Sequence, residues 1–185
     1  MKNVFILTFF LFTPVTLFAQ NSSSSDTDYY AEATVAQINY DGESYTGYGF
    51  SFEIVSEKFT FDAGYAVFDF DGHDLDVTGA GITYSFGSNF EGSFFIGIDY
   101  SKTSYRSDSD SDPGFSVGYQ KITPSELGWD VSISDSSDSD GNPAFSVGIR
   151  IPVEEHFGIS LGFSTTEDEY DDTFNVATVG FDYSF

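Results

Sequence analysis

Cysteine is absent from the 185 residues. Disulfides, thiolate nucleophiles and cysteine-based zinc sites are therefore excluded. Basic side chains are nearly as scarce: six Lys and Arg stand against 30 Asp and Glu, a formal charge of −24. No basic patch can be assembled to neutralise phosphates, which removes nucleic-acid binding from the possible functions. Also lacking is any run of about 20 apolar residues, the length a spanning helix needs. A chain of this size supplies one domain. If it crosses a membrane after its first residues, it crosses as a closed barrel.

What is present in quantity is aromatic surface, 22 Phe and 12 Tyr. Acidic chains that stay disordered lack such rings. The N-terminus reads as an export signal: Lys2, an apolar run from Val4 to Phe12, Pro14, and a small residue at Ala19. We expect residues 1–19 to be a signal peptide, 20–28 a polar leader containing Ser22 to Ser25, and 29–185 the folded domain.

From Tyr29 onward the texture is period-two alternation. Phe185, Tyr183, Phe181, Val179 and Ala177 share one face, and Ser184, Asp182, Gly180 and Thr178 the other. Side chains on a strand point alternately to opposite faces, so one face is apolar and the other small or polar. The same pattern recurs upstream. It gives ten strands: 29–40, 46–56, 59–70, 75–86, 92–104, 114–122, 127–135, 144–152, 157–166 and 173–185. Residues 29–40 mix their faces. The 75–86 strand keeps phase only from Ala80, and Gly79 and Gly81 suggest a bulge there.

Plain connections (Lys58, Gly87 to Gly92, Thr123 to Glu126, Val153 to His156) alternate with acidic ones. The acidic ones are Asp41 to Tyr45, Asp71 to Asp74, Tyr105 to Pro113, Ser136 to Pro143 and Glu167 to Asp172. An up-and-down membrane barrel has short turns on one rim and outward loops on the other. Phe59, Phe86, Phe94, Phe157, Tyr183 and Phe185 collect near the plain turns, and Tyr48, Tyr100, Phe115, Phe145 and Phe163 near the acidic loops. These are two candidate interfacial girdles. The face of Gly, Ser, Thr and Ala suits a narrow closed interior. The expectation is an all-β, closed, antiparallel up-and-down transmembrane barrel of ten strands, with eight as the alternative.

The ending Phe181-Asp182-Tyr183-Ser184-Phe185 resembles the terminal strand of bacterial outer-membrane barrels. With the signal peptide it makes residues 29–185 similar in architecture to the small outer-membrane barrels of the OmpA, OmpX and opacity-protein kind. The resemblance implies residence in the outer membrane, contact with its lipid and lipopolysaccharide, and reading of Phe181, Tyr183 and Phe185 by the barrel-assembly machinery.

Three groups of residues bear on function. Asp108, Asp110 and Asp112 alternate with serines, and Asp138 and Asp140 repeat the pattern. Alternating carboxylates suit calcium, although the closing bidentate Glu of a calcium loop is missing. Glu53, Asp62, Asp99, Asp130 and Asp182 are expected to face the lumen, with Arg150 as the inward base. They line either a structural interior or a narrow water path that prefers cations. His73 and His156 lie beside acids, but no activated nucleophile accompanies them. No cofactor is expected. The reading is a non-catalytic envelope barrel with acidic surface loops, for envelope structure or surface contact. A narrow cation-preferring channel is the alternative, and a lipid-modifying enzyme or protease the third.

Overall fold

In the computed structural model, residues 27–40, 42–70, 72–88, 91–123, 125, 127–136, 142–167 and 173–185 are described. The expected signal peptide falls outside them, as do Asp138 and Asp140. Ten strands form one closed antiparallel barrel. In chain order they are β1 (Thr27–Tyr40), β2 (Glu43–Ser56), β3 (Phe59–Phe70), β4 (His73–Ser88), β5 (Gly92–Tyr105), β6 (Asp108–Ile122), β7 (Gly128–Ser136), β8 (Ala144–Glu154), β9 (Phe157–Glu167) and β10 (Thr173–Ser184). Each strand pairs with its neighbour in sequence, and β10 closes on β1 from Tyr30↔Ser184 to Asn39↔Asn175. Closure leaves no free edge at the level where all ten ladders run. The last residue takes part: the Phe185 amide donates to the Tyr29 carbonyl at 3.0 Å.

Strand count and type match the sequence reading, and several boundaries do not. The first strand begins at Thr27, so the end of the expected leader is already wall. The larger difference is at the acidic connections. Tyr40 pairs with Glu43, Phe70 with His73 and Tyr105 with Asp108, so three expected loops are two-residue links between long strands. Positive φ at Gly42, Gly72 and Arg106 makes such tight links possible. The expected bulge at Gly79 and Gly81 is absent: β3 and β4 pair without a break from Phe59↔Tyr84 to Phe70↔His73. The register shift is elsewhere, between Pro152 and Glu154 of β8.

The wall is uneven in height. Strands β4, β5 and β6 run for 16, 14 and 15 residues, whereas β7, β8 and β9 have 9, 11 and 11. The β6–β7 ladder starts at Gly114↔Ser136. Above that level Asp108 to Pro113 pair with β5.

The outward face is what the alternation requires. Tyr48, Phe50 and Phe52 of β2, Phe94, Ile96, Ile98 and Tyr100 of β5, and Phe181 and Val179 of β10 are all exposed. On β5 this stripe covers about 20 Å of strand, close to the ~25 Å apolar band of a tilted membrane strand. Hydrophilic side chains return at its ends, at Lys102, Asp69, Gln37 and Asn175 towards the loops and at Lys58 and Lys121 towards the turns. A surface this apolar and continuous is not tolerated in water but is matched to hydrocarbon.

At the turn end the outward rings touch one another. Ring centroids lie 5.0 Å apart for Phe59–Tyr84, 5.1 Å for Phe94–Tyr119, 5.6 Å for Tyr119–Trp129 and 4.9 Å for Phe157–Tyr183. This girdle is denser than the expected one, because Tyr84, Tyr119 and Trp129 join it. Near the loop end the Tyr65 hydroxyl donates to the Asp76 carboxylate, which supplies that acid with a partner close to the membrane boundary.

Candidate functional site in the barrel lumen

All six expected lumen-facing charges lie on the inward face. Asp130 and Asp182 are buried, and Glu53, Asp62, Asp99 and Arg150 are partly so. A seventh, Glu32, was hidden by the mixed faces of β1. Its strand alternates correctly, but the inward face carries Tyr30 and the outward face carries Ala31 and Ala33.

The register brings most of these groups together. Glu53 is directly opposite Tyr30 and Asp62, and Glu32 is opposite Asp182. Asp62, Glu32, Asp182 and Arg150 are all close enough to Glu53 to act on it electrostatically. Asp130 stands apart, between Gln120 and Gly148.

Arg150 donates from Nε to Asp182 Oδ1 at 2.9 Å and again from its terminal nitrogen to the same oxygen. Its guanidinium also lies over the Tyr30 ring, 5.4 Å from the centroid. Glu32 Oε1 accepts from Ser160 Oγ at 2.8 Å and from Thr34 Oγ1 at 2.9 Å. Glu53 Oε1, Asp182 Oδ2 and Asp130 Oδ1 are buried without a hydrogen-bond partner among the described residues.

Small wall residues make space for these carboxylates. A Cβ on Gly158 would come within 2.5 Å of Asp182 Oδ2, and one on Gly81 within 2.8 Å of Asp62 Oδ1. A Cβ on Gly180 would collide with Glu32 Oε1 and Ser160 Oγ. The glycines read from sequence as interior filler are thus seats for acids.

Removing Arg150 would leave Asp182 buried and uncompensated. Arg150→Met is expected to lower folding stability by about 3–5 kcal/mol. Adding Asp182→Asn to it should restore most of the loss. Urea titration of the barrel in lipid vesicles, followed by tryptophan fluorescence, checks both.

Towards the loop end the lumen changes character. Ala36, Ile38, Ala66, Phe68, Phe70, Leu75, Val77, Tyr105, Ala144, Phe174 and Val176 form one buried apolar cluster, with Tyr40 and Tyr45 packed against it. These residues come from β1, β2, β3, β4, β5, β8 and β10, so the cluster crosses the barrel rather than coating one wall. Tyr40 stacks on Phe174 with centroids 4.0 Å apart, and Tyr45 on Phe70 at 3.8 Å. Ile38, Leu75 and Val77 have 0% exposure. Gly47 lies beneath this plug, where a Cβ would meet the Phe68 ring and, at 2.5 Å, the Val67 carbonyl oxygen. Sequence reasoning missed the plug, because it assigned only small and polar residues to the interior.

The remaining sequence candidates are scattered. Asp108, Asp110 and Asp112 sit on β6 beside Tyr105, Thr103 and Ser101. Among the described residues no three His, Cys, Asp or Glu side chains converge to hold a metal ion. His73 packs edge-on against Tyr105, with centroids 6.1 Å apart. His156 Nδ1 is 3.5 Å from Ser184 Oγ in an exposed turn. Phe181, Tyr183 and Phe185 all face outward on or beside the closing strand.

No family model matches the chain, and no curated protein sequence does. Solved structures do show barrels of similar build. The N-terminal β-barrel domain of Pseudomonas aeruginosa OprF is 10% identical with a TM-score of 0.43, covering 84% of this chain and 97% of that one. Neisserial surface protein A is 13% identical with a TM-score of 0.41, covering 86% and 97%. The KdgM porin is 8% identical with a TM-score of 0.44, covering 86% and 99%. The likeness is one of general barrel architecture. By its closed ladder and lipid-matched belt the chain is an integral transmembrane β-barrel.

Proposed function

We propose that this protein is a non-catalytic, non-conducting barrel of the outer membrane, serving envelope structure or surface contact. The apolar plug at the loop end carries this reading. Passage of a hydrated solute needs a polar or water-accessible path. Here the inward side chains at that level are aromatic and aliphatic, and three are out of reach of solvent. The histidines support the non-catalytic part. His73 is packed against a tyrosine ring, and the exposed His156–Ser184 contact has no orienting acid hydrogen-bonded to it among the described residues.

Planar-bilayer recording of the purified full chain tests the reading. The expected result is no steady conductance in 1 M-range (order of magnitude) salt, where wide lumens conduct freely. Stable unitary steps from the unaltered protein would show that the lumen is open.

The cation-preferring channel, favoured by the acid-lined interior, is the second reading. The recording decides between the two. Contact with lipopolysaccharide along the belt, recognition of Phe181, Tyr183 and Phe185 during assembly, and cation binding by Asp108, Asp110 and Asp112 belong to this proposal too. Phe181, Tyr183 and Phe185 are exposed on the outer face, and Asp108 and Asp110 lie in the upper hairpin, whereas Asp112 is buried there.

A further inference from the structure

We propose that the polar chamber around Glu53, beneath the plug, holds an exchangeable hydrated cation of the alkali or alkaline-earth class. The inference rests on the closed-lumen reading and adds an occupant to it.

The charge inventory of the chamber does not balance. Around Glu53 stand three further acids, Glu32, Asp62 and Asp182, with Arg150 as the base within this group, and Asp99 lies near Asp62. Both hydrogen bonds from Arg150 to a carboxylate go to a single oxygen, Asp182 Oδ1. Glu32 is served by two hydroxyls, which share its charge without cancelling it. Glu53 Oε1 and Asp182 Oδ2 have no hydrogen-bond partner among the described residues, and Asp182 is 5% exposed. A buried carboxylate without a partner is costly, and several side by side are costlier. A mobile positive charge among them removes that cost.

Two features favour a hydrated ion over a bare one. The described residues contain no ready cluster of three metal ligands. Ser51, opposite Glu32, adds a further hydroxyl that can orient the ion's water. The rival solution to the same imbalance is a proton on Glu53.

The test compares thermal unfolding of the full chain in detergent at matched ionic strength in sodium chloride, calcium chloride and choline chloride. Choline carries the charge of sodium on a much bulkier body that cannot be closely hydrated or approached by carboxylates. The expected result is a melting temperature several degrees higher in sodium or calcium than in choline. Glu53→Gln is expected to abolish that difference, and Asp62→Asn to reduce it. Glu155→Gln, in an exposed turn, should leave it intact. Equal melting in all three salts overturns the proposal, as does a sodium-over-choline difference that survives in Glu53→Gln. If Glu53→Gln does not fold, Asp62→Asn alone decides: an unchanged difference overturns the proposal. An infrared band of a protonated carboxyl at neutral pH that disappears in Glu53→Gln also overturns it, in favour of the proton. These readouts do not require a silent bilayer, so a conducting wild-type barrel would refute the closed-lumen reading on its own.

Discussion

Replacing Phe68 and Phe174 together by alanine is expected to turn a silent barrel into one that leaks cations. Among the described residues these are the two largest fully buried side chains, 1% exposed each. They enter the plug from β3 and β10, and Phe174 is the ring on which Tyr40 stacks. Truncating a buried Phe to Ala costs about 3–5 kcal/mol, as lost transfer energy plus a cavity. The ladder itself is untouched, so the wall should close as before. Loss of two rings at one level removes the apolar barrier, and the chamber beneath is acidic. Conductance should therefore appear in bilayers with cations carrying most of the current, as a shifted reversal potential in a salt gradient would report. A folded double variant that stays silent would mean that the seal lies elsewhere, for example at inward-facing Phe95 and Ile122 near the turns.

The second large effect concerns the outer face. Ile98→Arg puts a guanidinium in the middle of the β5 stripe, between Ile96 and Tyr100. At the midplane of a bilayer an outward Arg costs a transmembrane barrel about 2–4 kcal/mol. Reversible urea unfolding in lipid vesicles should show a loss of that size. Lys102→Arg, at the end of the same stripe, should be near neutral. The contrast discriminates sharply: on a water-exposed sheet Ile98→Arg would cost little and would raise solubility. A stability change within error for Ile98→Arg would remove the membrane assignment.

The places where sequence and structure agree or part have physical causes. Strands such as β5, β8, β9 and β10 were legible because lipid demands apolar residues at every second position and the narrow interior demands small ones. Both requirements act on the same residues, so the alternation is clean. The outward part of β4 broke the pattern, since Leu75 and Val77 point inward to the plug while Asp76 and Thr78 point out. There the usual polarity of the two faces is reversed, and a sequence reader loses phase where the functional feature lies. The upper part of β6 was read as loop because its alternating Asp and Ser have low strand propensity. Its pairing with Ser101 and Thr103 is a long-range fact that composition does not carry. The lumen acids were legible one at a time from their phase. Their grouping around Glu53 was not, because it depends on register between strands distant in sequence, such as Arg150 with Asp182.

The uneven height of the wall has a consequence for how molecules of this protein meet each other. Over Asp108 to Pro113 the barrel margin stands above the level at which its next strand begins pairing. A protruding ribbon of that sort is a natural docking template for a strand from a neighbouring molecule. Like charges at Asp108 and Asp110 disfavour an identical ribbon beside it, and Pro113 has no amide to offer. Neutralising Asp108 and Asp110 would be expected to leave a folded barrel that self-associates at its rim.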